Sequence, residues 1–281
     1  MERSAGEPSE VGDELEMSEK VDSKIPKRPI WSGSITIGLV NVPVKLHAMI
    51  FDKSVSFRFL HKTDGQPLRY EKVCTKEDIV VPWNEVEKGF ELRKGEFVVF
   101  KKEELDAAKP ESNRRIRIDK FVNYISTDPV YFERSYILTP DNSEDAYSLL
   151  LTALQRTGRA GVGRITLRTK EYPVLVHPYK DALVLTALRY AYEVMDPIEF
   201  EELKELKEPN TVELELATKI IADLSGEFDI AEYKDSYREK IESLIQKKMK
   251  GETIVFEKPV KEEAKELMVA LQETLKQLKK K

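Results

Sequence analysis

Apolar and polar positions alternate with period two through Ile35, Ile37 and Leu39, while Ser34, Thr36 and Gly38 fall between them. That is the pattern of a strand buried on one face. Asn41 and Pro43 interrupt it before Val42, Val44 and Leu46 resume, so the opening reads as hairpin-like. Further short strands are expected at Val55–Leu60, Leu68–Val73, Ile116–Val122, Val130–Phe132, Ser135–Leu138, Val162–Leu167 and Ala182–Leu188, at the spacing of a barrel or sandwich. Asp64-Gly65 supplies one tight turn, and Arg93-Lys94-Gly95 a second between two apolar pieces.

The period then changes to that of helices. Ala146, Leu149, Leu150, Ala153 and Leu154 form a stripe between a cap at Asp141, with Glu144 three residues on, and a stop at Gly158. Beyond Phe200 a stripe of Leu214, Leu216, Ala217, Ile220, Ile221 and Leu224 precedes Gly226, and one of Tyr237, Ile241, Leu244 and Ile245 precedes Gly251. After Pro259, Ala264, Leu267, Met268, Leu271, Leu275 and Leu278 recur at three- and four-residue steps, and the chain ends in three lysines. The expected fold class is α+β, mainly β.

Composition changes this picture little. A chain of 281 residues, 41% hydrophobic, can bury a substantial core. Its longest apolar run falls short of the roughly 20 residues of a membrane helix, and the acidic start is unlike a signal peptide. The expectation is therefore a protein inside the cell, cytoplasmic and without a membrane partner. Cys74, the single cysteine, permits no intrachain disulfide.

Charge changes it more. Residues 1–24 carry eight acidic and three basic side chains, which alone match the net charge of −5. They contain few apolar groups and read as a disordered tail. Residues 25–200 hold 27 bases and 24 acids, and residues 201–281 hold 16 and 19. The middle of the chain is thus mildly basic, and what matters is whether its cations share one surface.

Catalytic patterns are missing. His47, His61 and His177 are scattered and Cys74 has no neighbouring partner, so neither a zinc set nor another metal is expected. Gly161-Val162-Gly163 follows a helix and lacks the Lys-Ser/Thr of a phosphate loop. No Gly-x-Ser-x-Gly elbow occurs, and Asp128-Pro129 and Asp196-Pro197 read as turns. No enzyme activity and no cofactor are expected.

Basic residues among the strands are more informative. Arg114, Arg115, Arg117 and Lys120 surround one strand start, while Arg156, Arg159, Arg164, Arg168 and Lys170 follow the capped helix. Alternation puts Arg164, Thr166 and Arg168 on one face, opposite Ile165 and Leu167. Guanidiniums about 6.6 Å apart, two strand steps, suit a run of phosphates. The competing reading is a solvated face whose cations pair with cross-strand carboxylates.

The run from Arg28 to Leu46, Arg-Pro-Ile-Trp-Ser-Gly-Ser-Ile-Thr-Ile-Gly-Leu-Val-Asn-Val-Pro-Val-Lys-Leu, closely resembles the opening of the prokaryotic Ku proteins. Val86–Glu91, Gly95–Phe100, Glu103–Leu105, Ile116–Val122, Asp128–Phe132, Ser135–Pro140, Ala146–Leu150 and Leu185–Tyr190 are similar to successive family motifs in the same order. The resemblance covers roughly residues 28–250. It implies a Ku-type β-barrel core over 26–200 with a long inserted bridge arm at about 68–109, after the acidic tail at 1–25. A C-terminal helical arm would follow at 201–258 and an amphipathic helix with a basic end at 259–281.

By the same resemblance two chains would form a ring-shaped homodimer that threads onto double-stranded DNA ends, without reading sequence, in non-homologous end joining. The protein would be associated with the nucleoid and would recruit a ligase D-type DNA ligase, with Leu267, Met268, Leu271 and Leu275 as the stripe that docks on it. The DNA-binding residues would be Arg164, Arg168 and Lys170, together with Arg69, Lys72, Arg114, Arg115 and Arg117. Two departures stand out: the acidic stretch at the start, and a lysine-rich tail reduced to three residues. The alternative is a single-stranded nucleic-acid-binding β-barrel on which Trp31, Tyr124, Tyr131 or Phe132 stack bases.

Overall fold

The computed structural model describes residues 28–109, 114–252, 271–274 and 276. Strands β1 (Trp31–Ile37) and β2 (Val40–Ala48) form a hairpin whose two-residue loop starts at Gly38, φ +57°. A separate two-stranded hairpin follows, β3 (Lys88–Arg93) and β4 (Glu96–Phe100), and then the short helix α1 (Lys102–Ala107). Strands β5 (Arg115–Asn123) and β6 (Phe132–Pro140), helix α2 (Glu144–Thr157), and strands β7 (Arg159–Leu167), β8 (Lys170–Tyr179) and β9 (Ala182–Leu188) complete the β region.

Seven strands close a barrel in the order β1-β2-β6-β9-β8-β7-β5. All neighbours are antiparallel except β1 and β5, whose parallel register sets Ser34 beside Arg115 and closes the cylinder. Closure removes the unpaired edges an open sheet would expose. The interior is filled by period-two sets: Val42, Val44 and Leu46, Ile116 and Ile118, Val174 and Val176, and Leu183 and Leu185.

Helix α2 seals one end of this cylinder. Its Tyr147 hydroxyl donates to Leu138 O at 2.7 Å and accepts from Leu183 N–H at 2.7 Å, tying the end of β6 to the start of β9. The core-facing stripe runs through buried Tyr147 and Leu154 and half-buried Leu150 and Leu151, whereas Leu149 is exposed. Ser143 occupies the N-cap, and Asp141, expected there, instead takes the Lys45 ammonium at 2.7 Å. Gly158 ends the helix at φ +62°, where a glycine carries no steric penalty.

Residues 53–81 differ from expectation. Val55–Leu60 and Leu68–Val73 form no extended strands; they contribute the isolated bridges Leu60–Pro67 and Val73–Val80. Each bridge closes a turn of one pattern, with Gly65 N–H to His61 O and Leu68 N–H to Phe59 O in the first, and Asp78 N–H to Cys74 O and Val81 N–H to Lys72 O in the second.

The chain divides into two compact units, residues 1–52 with 69–195, and residues 53–68 with 196–281. The second carries α3 (Glu201–Lys204), α4 (Thr211–Asp223) and α5 (Ser236–Met249). Leu216, Ala217 and Ile220 of α4 and Ile241, Leu244 and Ile245 of α5 are half-buried, and neither helix has a fully buried residue. Asn210 and Asp235 cap them by accepting backbone N–H groups.

Candidate nucleic-acid interface

The candidate cations come together where β5 meets β7. Their antiparallel register sets Arg117 directly opposite Arg164, both on the outer face while Ile116, Ile118 and Ile165 fill the interior. Two guanidiniums facing each other across a strand pair repel unless a carboxylate separates them. Asp119 does so: Oδ1 lies 3.1 Å from Arg117 Nε and Oδ2 3.5 Å from Arg164 Nε. A register shift between Ile118 and Lys120, a β-bulge, delivers this side chain out of the strand's alternation.

Gly163 makes the approach of the two strands possible. A Cβ there would lie 1.9 Å from Arg117 O, so no side chain fits without displacing β5. A Cβ on Gly161 would meet the Ile118 side chain at 3.1 Å. The glycine pair is thus explained by close backbone packing beside the cations, not by a phosphate loop.

Around this rung the other cations are held differently. Arg115 alternates with buried Ile116 and extends the outer row toward the strand start, and Arg114 precedes it at φ +49°, its carbonyl accepting from Ser34 N–H at 3.1 Å. Arg164 Nη1 also lies 4.0 Å from Glu171 Oε2. Arg168 departs from the alternation expected of it: β7 ends at Leu167, and Arg168 sits in the two-residue β7–β8 turn at φ +58°. Lys170 pairs with Glu193 at 3.4 Å and lies 4.9 Å from the Tyr172 ring centroid. Partial desolvation opposes its charge, but the Glu193 hydrogen bond prevails and holds the ammonium above its usual range.

The two arm candidates are engaged locally. Arg69 pairs with Glu71 at 2.6 Å, and the Lys72 ammonium lies 3.4 Å from the Trp83 ring centroid. Among the described residues neither forms an ion pair with the β5–β7 group. Of the four-residue helical stripe, Leu271 is helical and half-buried, while Leu267, Met268 and Leu275 lie outside the described residues. So do residues 1–27.

The carboxylate pairing expected of a solvated face is found at some of these cations and not at others. Arg117, Arg164 and Lys170 have carboxylate partners, whereas Arg114, Arg115 and Arg168 form no ion pair among the described residues. The paired guanidiniums stay half-exposed or more, at 63% for Arg117 and 52% for Arg164. Such exposed pairs contribute about 0.2–1 kcal/mol each, so a polyanion can displace the carboxylates. The sequence pattern did not single out Arg134 of β6, which lines a cavity of about 440 Å³ at the barrel end opposite α2 together with Arg168, Trp31, Tyr136 and Tyr172. Its signal is only the polar half of an alternation.

The aromatic side chains do not form an open row for stacking bases. Tyr124 already stacks on His177, with ring centroids 4.6 Å apart, and Trp31, Tyr131 and Phe132 are half-buried. Among the described residues no group of three or more His, Cys, Asp or Glu side chains is arranged to hold a metal ion, and no helix is long and apolar enough to cross a membrane.

Comparison with known proteins bears on the barrel and on the chain as a whole. The family model for Ku, the Ku70/Ku80 beta-barrel domain, matches residues 36–216. A protein of Anaeromyxobacter sp. (strain K) named non-homologous end joining protein Ku is 38% identical over 250 residues, covering 88% of this chain and 83% of its own length. Proteins of the same name from Bacillus subtilis and Archaeoglobus fulgidus are 35% and 36% identical, covering 89% and 90% of this chain and 82% and 100% of their own lengths. With a closed seven-stranded barrel matched by that model and relatives similar over most of the sequence, this chain belongs to the Ku family.

Proposed function

We propose that this protein binds double-stranded DNA ends without reading their sequence, as a non-catalytic homodimer that encircles the duplex and recruits a DNA ligase in non-homologous end joining. The observation that carries the binding reading is the cross-strand rung of Arg117 and Arg164, flanked on the same barrel by Arg115, Arg168 and Lys170. Cations in a row along a strand face can meet successive phosphates, and contacts to phosphate carry no sequence information. Family membership supports the end-joining role, which the relatives carry in their names.

The pairing of two chains has its own support in β3–β4. Every residue of both strands is exposed. Phe90 opposite Val98 and Phe97 opposite Glu91 put apolar rings on both faces of the ribbon. A two-stranded ribbon is marginal alone in water, and apolar surface on both faces of it calls for a cover. A second copy of the chain supplies one. Docking of the ligase on the Leu267, Met268, Leu271 and Leu275 stripe completes the proposal as helix-in-groove recognition.

The test of the binding reading is equilibrium binding to linear duplexes of unrelated sequence, titrated with salt. Similar affinities across sequences are expected, with log K falling against log salt at a slope near −0.9 for each phosphate neutralised. A strong sequence preference, or tighter binding to single strands, would contradict it.

A further inference from the structure

In sequence, the acidic stretch directly precedes the point at Arg28 where the described chain enters the barrel beside its cations. Residues 1–24 carry a net charge of −5 and lead into Arg28, Pro29 and Ile30, which are exposed at the start of β1. Because β1 and β5 are parallel, the same end of the barrel holds the start of β5, with Ser34 beside Arg115 and hydrogen-bonded to Arg114 O. The end of β7 and the start of β8 lie there too, with Arg168 in their turn.

The cavity of about 440 Å³ opens at this end, lined by Ile30 and Trp31 from the root of the acidic stretch and by Arg134 and Arg168. Against these two cations the lining offers one carboxylate, Glu133. The Trp31 indole N–H is buried without an acceptor, an unmet donor that costs on the order of 1–3 kcal/mol. The rim therefore carries one more cation than carboxylate, and one indole donor without an acceptor. Residues 1–24 hold acceptors and negative charge in excess, with Val11, Leu15, Met17 and Val21 spaced among the carboxylates as apolar groups for a cavity that is itself partly apolar.

Reach is sufficient. Asp13 lies fifteen residue steps before Arg28, and at most about 3.3–3.6 Å per step lets that stretch extend roughly 50 Å. A nine-residue strand such as β5 or β7 spans about 30 Å. Tethering also raises the local concentration of the acidic groups to the millimolar range, enough for weak individual contacts to be occupied.

We infer that residues 1–24 dock on the cationic mouth of their own barrel and compete there with phosphates. The segment acts as an intramolecular polyanion: it covers Arg114, Arg115, Arg134 and Arg168 until a duplex displaces it. Competition with DNA rests on the binding reading above; docking does not.

The experiment keeps the full chain. The six glutamates at positions 2, 7, 10, 14, 16 and 19 are changed to Gln, and Asp13 and Asp22 to Asn, in a Trp83→Phe background that leaves Trp31 as the only tryptophan. Acrylamide quenching of Trp31 is expected to rise about twofold over the acidic parent at about 0.05 M salt and to converge with it at about 1 M, where the Debye length falls to about 3 Å. A peptide of residues 1–24 added in trans should restore the shielding. Duplex affinity at low salt is expected to rise about tenfold. Unchanged quenching overturns docking whatever DNA does. Increased quenching with unchanged duplex affinity overturns the competition, and increased quenching in a protein that binds no duplex in either form leaves docking standing and removes the DNA reading.

Discussion

His177 is nearly buried on β8, at 5% exposure, and its hydrogen bonds fix its tautomer. Pro178 O can only accept, so Nδ1–H donates to it at 3.2 Å, and Nε2 accepts from the Thr186 hydroxyl at 3.1 Å. Thr186 Oγ1 in turn accepts from the Ser135 hydroxyl at 3.0 Å. Burial pushes the imidazole below its ordinary 6.5, against the bond to Pro178, which favours charge. The unfolded chain then takes up the proton first as pH falls, so this contribution to stability is complete above about 6.5 and declines below it toward the folded value. The denaturant midpoint of the parent should fall more steeply from pH 7 to 5 than that of His177→Gln; parallel curves would exclude the effect. Tyr147→Phe is the pH-independent counterpart. It leaves Leu183 N–H without its acceptor and Leu138 O without its donor, and should cost about 1–3 kcal/mol in equilibrium unfolding. A loss below about 0.5 kcal/mol would mean that water replaces both bonds.

At the scale of elements, the β5–β7 rung makes the opposite kind of prediction, a gain. Asp119 holds both guanidiniums, so Asp119→Asn frees them, and duplex binding at low salt should tighten several-fold while Arg164→Glu weakens it. If Asp119→Asn weakens binding instead, the carboxylate organises the cations more than it screens them. Gly163→Ala should lower the thermal midpoint by several degrees, since its Cβ would stand 1.9 Å from Arg117 O and push β5 off β7. Much of this was legible in the chain. Period-two alternation located the opening hairpin and the exposed face of β7, because a strand with one buried face must alternate. The helix before Gly158 was legible too, with Ala146, Leu150 and Leu154 facing the core as expected, but Leu149 and Ala153 are exposed and Tyr147 and Leu151 join the stripe, since Tyr147 brings a hydroxyl that satisfies two backbone groups at the barrel end. Pairing of Arg117 with Arg164 was not legible, because register between strands 47 positions apart depends on the closed barrel and the bulge at Asp119. Nor was the place of Arg168, where the turn overrides alternation.

For the whole molecule, the charge is divided instead of absent. A net −5 is matched by residues 1–24 alone, while the barrel gathers Arg114, Arg115, Arg117, Arg164, Arg168 and Lys170 along β5 and its entry, β7, the turn after it and the start of β8. Local cationic surface, not net charge, governs attraction to phosphates. In the proposed homodimer, apolar residues such as Phe90, Leu92, Phe97 and Val99 on β3–β4 lose their exposure, so Phe97→Asp is expected to shift light-scattering mass from two chains toward one; an unchanged dimer would place the contact elsewhere. The proposed encirclement carries the account, because it would turn sequence-blind phosphate contacts into a preference for ends. Competition between a linear duplex and a closed circle of the same sequence and length measures that preference directly. The account predicts that the linear form binds at least about tenfold tighter and that a circle, once cut, competes equally; equal binding of circle and linear duplex would contradict it.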